Sequence, residues 1–125
     1  MKKTEVLAQA AQKTEADTRK SEMWSWLDLP WSVYTDTMHG KTIPTDDGVS
    51  INRYCAAAGA RVGEHTHPYD QWVFTRSGHA RVVCDGEAFD MAPGSVLRIP
   101  ANTVHSVTYV EEWEGLEFGL GRAVH

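Results

Sequence analysis

The stretch Gly59 to Gly78, GARVGEHTHPYDQWVFTRSG, decides the fold: it sets two histidines at strand spacing, then a turn, then an apolar run. His65 and His67 stand two residues apart. Gln71 follows four residues after His67, where the turn at Pro68 hands over to Trp72-Val73-Phe74. Side chains along a β-strand alternate between faces, so residues i and i+2 point the same way and His65 and His67 are placed to grip one ion. A third imidazole, His105, lies inside SVLRIPANTVHSVTY, a second alternating apolar segment. Three neutral imidazole nitrogens and the amide oxygen of Gln71 form a ligand set for one divalent transition metal ion. Zinc, nickel, iron, manganese and copper all accept such ligands. His39 in a turn, His79 beside Gly78 and His125 at the chain end have no comparable company.

Working outward, Thr45-Asp46-Asp47-Gly48 is a turn signal, and VSINRYCAAA after it reads as a strand. One parity of that strand turns Ile51, Arg53 and Cys55 inward; the other turns Asn52, Tyr54 and Ala56 inward. Residues 71 to 77 and 79 to 84 are expected to form a hairpin around Gly78, and Cys84-Asp85-Gly86-Glu87 a second, tight turn. EAFDMAPG supplies a short strand and a Pro93-Gly94 turn. Beyond an acidic loop from Glu111 to Gly115, Leu116, Phe118 and Leu120 alternate with Glu117 and Gly119, which marks a last, half-buried strand. Short strands at regular intervals, punctuated by Gly and Pro, indicate a closed or sandwiched antiparallel all-β fold.

The two histidine segments resemble the paired motifs of the cupin family. In the first, Gly59 is followed after five residues by His65-x-His67, after three more by Gln71 and after six more by Gly78. In the second, Gly94 is followed after five residues by Pro100, then by Asn102 and His105. The family commonly has Glu at position 71, Gly at 102 and Asn at 109; here they are Gln71, Asn102 and Tyr109. Asn also tolerates left-handed backbone, so the turn is expected to survive. The resemblance spans roughly residues 50 to 120 and implies a double-stranded β-helix, the cupin or jelly-roll barrel, with a metal inside held by His65, His67, Gln71 and His105. HTHPYDQ is also similar to the H-x-H-P-x-x-Q pattern of small cupins with non-redox chemistry. These include ring-opening enzymes of unsaturated uronate catabolism, hydroxynitrile lyases and polyketide cyclases.

The 125 residues suffice for one core, and 17 acidic against 12 basic residues, a net charge of −5, argue against a nucleic-acid partner. A small-molecule substrate is expected instead. No apolar run approaches a membrane span, and the polar start does not read as an export signal, so the expected location is the cytoplasm, with Cys55 and Cys84 reduced. Residues 4 to 22 lack Gly and Pro and favour a helical arm. Together with the segment holding Trp24, Trp26 and Trp31, that arm is assigned to residues 1–42, packed on a barrel of residues 43–125. The apolar surface of that segment and of the outer sheet suggests a homodimer.

The neutral amide of Gln71 leaves the charge of a divalent ion uncompensated, which suits it to polarising a carbonyl. This favours a metal-dependent lyase, isomerase or cyclase acting on a small oxygenated molecule such as a sugar acid, aldehyde or carbonyl compound. A cupin dioxygenase using iron, nickel or copper and a non-catalytic ligand-binding or metal-sensing module are the competing readings. Tyr109, four residues beyond His105, is a candidate proton donor or a packing residue. Arg53, if it faces inward, is a candidate carboxylate anchor. Asp70 is expected either to orient a histidine or to cap the turn, and Arg76 and Arg98 to face outward.

Overall fold

The computed structural model describes residues 19–45 and 48–121, and among these ten strands are found. In chain order they are β1 (Ser32–Thr35), β2 (Met38–Ile43), β3 (Ser50–Ala56), β4 (Arg61–His65), β5 (Asp70–Ser77), β6 (Ala80–Cys84), β7 (Glu87–Met91), β8 (Val96–Ile99), β9 (His105–Tyr109) and β10 (Trp113–Leu120). A six-stranded sheet runs β1-β2-β3-β10-β5-β8, and a four-stranded sheet runs β4-β9-β6-β7. Every pairing is antiparallel. The two sheets face each other across Ala56, Val73, Val82, Met91, Ile99 and Trp113, which gives the double-stranded β-helix its core. The indole of Trp113, 1 % exposed, satisfies its one donor on Thr75 Oγ1 at 2.9 Å.

The turns account for this topology. Asp85 and Gly86 both have positive φ between the paired Cys84 and Glu87, as a two-residue hairpin turn requires. Asn102 adopts φ +63, so the left-handed turn expected there is kept. Gly78 acts differently from the expected hairpin tip: β5 pairs with β10 and β8, whereas β6 pairs with β7 and β9. The chain at Gly78 therefore crosses from one sheet to the other. It does so at φ +84, pressed so close to the Glu112 carbonyl that a side chain there would collide with backbone.

The helical arm expected over residues 4 to 22 lies mostly outside the described residues. Residues 19 to 24 are not helical, and a single 3-10 turn at Trp26–Asp28, capped by Ser25, is what precedes the sheet. Strand pairing begins at Ser32, ahead of the boundary expected at residue 43. Trp26 and Trp31 contact the outer face of the six-stranded sheet. Trp31 stacks edge-on to His39 at 4.9 Å and covers the ammonium of Lys41 at 4.5 Å, while that ammonium donates to the Trp26 carbonyl at 2.7 Å. These contacts leave Lys41 only 6 % exposed. Cys55 and Cys84 are free thiols. Among the described residues no helix is long and apolar enough to cross a membrane.

Candidate metal centre and cavity

The pairing of β4 with β9 sets His65 directly opposite His105, and the loop after β4 folds His67 back beside them. Ring centroids lie 4.1 Å apart for His65 and His105, 4.7 Å for His65 and His67, and 5.1 Å for His67 and His105. One ring nitrogen from each falls within 4.8 Å of the others, close enough to share an ion. The backbone fixes how two of these rings are protonated. His65 Nδ1 sits 2.8 Å from the Gly63 carbonyl, and His105 Nδ1 sits 2.8 Å from the Thr103 carbonyl. A carbonyl only accepts, so each Nδ1 carries the hydrogen and each Nε2 keeps its lone pair for a metal. Burial, and then the neighbouring His65 and His105 rings, hold His67 below the usual imidazole range. Burial likewise lowers His105, against the opposing effect of its bond to Thr103. All of this favours neutral imidazole, the form that ligates.

Gln71 enters the same cavity from β5, in the opposite sheet. Its amide nitrogen donates to the Glu117 carboxyl, and its Oε1 is buried without any hydrogen-bond partner. A buried amide oxygen without a partner is costly unless something accepts its lone pairs. The bond to Glu117 fixes which way round the amide stands, and the orphaned oxygen is the donor a divalent ion would take. The residues present therefore fit a metal of the kind bound by three imidazoles and one oxygen.

The two loops carrying the ligands are tied to each other. The Asn102 amide donates to the His67 carbonyl at 2.7 Å, and the Ala101 amide donates to Asp70 Oδ1 at 2.8 Å. Asp70 thus braces the 100–103 turn.

Behind the histidines lies a cavity of about 310 Å³ between the sheets. Ser50, Asn52 and Tyr54 line it, which settles the parity of β3. Arg53 consequently faces the other way, and its expected role as a carboxylate anchor is corrected. On the outer face it donates to Glu114 Oε1 at 2.8 Å, an oxygen that also receives Arg76 at 2.8 Å. Burial opposes ionisation of Glu114, but those two guanidinium groups hold it below the usual carboxylate range. Arg76 and Arg98 are exposed on that face, as expected.

Tyr109 does line the cavity, 2 % exposed and packed 5.2 Å from Trp113. Four residues of strand, about 13 Å, separate it from His105, so it belongs to the closed end rather than to the histidines. Burial and the Glu117 carboxyl push its phenol well above the usual range.

The residue that sequence reasoning missed is Glu117. The alternation of Leu116, Phe118 and Leu120 ordinarily marks the buried face of a strand. In β10 those residues face outward, and Gly115, Glu117 and Gly119 face in. The glycines explain the inversion: a side chain at 115 would strike the Trp113 ring, and one at 119 would strike Tyr69 and Ser50. Glu117 lines the cavity and is only partly exposed, its carboxyl bonded to Gln71. Burial pushes that carboxyl up to about 7, although the bond from Gln71 acts in the opposite direction.

A sheet sandwich with a triad of imidazoles at one end is the architecture of a cupin, and the Cupin domain family matches residues 52–114. The chain belongs to that family. Among its relatives, an uncharacterized protein of Streptomyces coelicolor is 30 % identical over 64 residues, 51 % of this chain; the match spans 61 % of that protein's length. The solved structure of KdgF from a Halomonas species superposes with a TM-score of 0.76 at 18 % identity, over 83 % of this chain and 96 % of that one. A cupin superfamily protein of Desulfitobacterium hafniense gives a TM-score of 0.66 at 22 % identity, over 73 % of this chain and 84 % of that one. At these identities the structural likeness speaks for the fold alone.

Proposed function

We propose that this cupin is a metal-dependent, non-redox enzyme of the lyase, isomerase or cyclase type. The observation that carries the reading is the Gln71 amide, held at its nitrogen by Glu117 and leaving its oxygen unpartnered inside the cavity wall. His65, His67, His105 and Gln71 would hold one divalent ion with neutral donors only. Such an ion would supply Lewis-acid polarisation of a substrate oxygen. Glu117 supplies the acid and base: a carboxyl titrating near 7 takes and returns a proton at working pH, where an ordinary carboxylate is too weak a base. Tyr54 and Tyr69, both raised by burial and by Glu117, stay protonated and donate hydrogen bonds to substrate oxygens. Tyr109 closes the far end of the cavity and excludes water there.

Turnover of carbonyl substrates, measured on protein loaded with zinc or nickel under strict anaerobiosis, tests the reading. Activity is expected to be the same with and without oxygen. Glu117→Gln should retain the metal while losing about a hundredfold or more in rate. An absolute requirement for oxygen would overturn the assignment in favour of a dioxygenase.

A homodimer fits the outer face of the six-stranded sheet. Val96 and Leu120 are 50 % and 42 % exposed there, beside the partly covered Phe74 and Phe118 that pack edge-on at 5.3 Å.

A further inference from the structure

We infer that the cavity takes a neutral, planar, oxygen-bearing molecule, a hydroxylated aromatic or cyclic ketone, and not a sugar acid. This rests on the proposed site and names its substrate class. Among the described residues the cavity wall contains no lysine and no arginine. Its ionisable groups are three imidazoles, four phenols and Glu117, none of which is a fixed positive charge, and an ionised Glu117 repels an anion. The cations that would pair a carboxylate are spent elsewhere: Lys41 under Trp31, and Arg53 and Arg76 on Glu114, all on the outer face. A carboxylate that did not itself sit on the metal would be desolvated with phenol donors at most and no opposite charge to compensate it.

A sugar's ring of hydroxyls fares no better. Asn52, Tyr54, Gln71 and Glu117 give the six-stranded sheet a polar side, while the four-stranded sheet presents Val62, Val82, Met91 and Val107 between the imidazoles of His65 and His105 and the phenol of Tyr109. Hydroxyls directed at those four apolar side chains would have no acceptor or donor. A flat molecule with oxygens along one edge matches both sides. The mouth is aromatic as well. Tyr69 stacks on His67 at 4.8 Å with planes 15° apart, in the space Gly119 leaves open, and Tyr34 meets Tyr54 edge-on at 5.3 Å. A volume of about 310 Å³ lies at the small end for ligand pockets and suits one or two rings.

Isothermal titration of zinc-loaded and chelator-treated protein with three probes tests this. The probes are 2-hydroxyacetophenone, 2-hydroxybenzoate, which has the same ring with a carboxylate in place of the acetyl group, and D-glucuronate. The neutral ketone is expected to bind at least tenfold more tightly than glucuronate to the zinc-loaded form. In the metal-free form it should retain measurable binding while both anions lose theirs. Glucuronate binding as tightly as the ketone, either anion binding the metal-free form, or no binding of the ketone at all would each overturn the inference. Metal content measured on the same samples keeps the two proposals apart. Protein that loads no zinc yet prefers the ketone sinks the metal-dependent reading alone; protein that loads zinc and prefers glucuronate sinks this one alone.

Discussion

Glu117→Gln isolates the energetic effect of enclosing an ionisable carboxyl in the cavity wall. The group titrates near 4.5 when free and is pushed up to about 7 in the folded protein. The folded state therefore holds the proton more tightly, and between those two values the unfolded state binds fewer protons. Stability must fall as pH rises through that window and level off above it. At about 1.4 kcal/mol per tenfold change in proton affinity, the fall amounts to about 3 kcal/mol, or roughly 10 °C in Tm for a domain this size. His67 and His105 act oppositely. Both are lowered from 6.5, so their neutral forms stabilise the fold fully above that value and the contribution is lost as pH falls. A wild-type profile mixes the two slopes, and subtracting it from that of Glu117→Gln cancels the histidines. The assay is urea unfolding of both proteins, metal-free, across the range from acid to mildly alkaline buffer. The variant should match wild type at the acid end, where glutamine imitates the protonated acid, and exceed it by about 3 kcal/mol in alkaline buffer. A difference that stays flat to within about 0.5 kcal/mol would refute the enclosure of the carboxyl.

The sheet crossing and the dimer give two further expectations. Gly78→Ala meets both a positive φ and the Glu112 backbone, so it should cost about 2–4 kcal/mol, whereas Gly59→Ala, with a similar φ and open space, should cost about 1–2 kcal/mol. Thermal melts showing equal losses would mean that Gly78 is not pinned between the sheets. Phe118→Lys places a charge in the exposed outer face without touching the cavity. Sedimentation should show wild type as a dimer at micromolar concentration and the variant as a monomer; a monomeric wild type would count against the dimer.

Legibility from sequence followed the range of the interactions concerned. His65, His67 and the turn at Asn102 were readable because strand alternation and left-handed turns are properties of a few neighbouring residues. Pairing was less so: a glycine between two apolar runs signals a reversal, but not whether the runs become hydrogen-bonded neighbours or members of opposite sheets, and Gly78 proved the latter. The inward side of a strand is ordinarily its apolar side. In β10 that rule failed because rings from Tyr69 and Trp113 occupy the room left by Gly119 and Gly115, so an acid between two glycines became the interior residue. Arg53 was undecidable for a related reason, since β3 carries groups of mixed polarity on both faces and only its register with β10 places Glu114 within its reach.

The proposed ligands are divided between the two sheets: His65 and His105 belong to the four-stranded one, Gln71 to the six-stranded one, with His67 in the strand-to-strand passage between them. The Glu117 that orients Gln71 arrives only with the last strand. A fragment of the chain that stops before β10 holds all four candidate donors but lacks the Glu117 that orients Gln71. Capture of an ion by the proposed set would therefore follow the docking of the two sheets rather than guide it. Such an ion would clasp the two sheets together, slowing their separation more than it hastened their meeting.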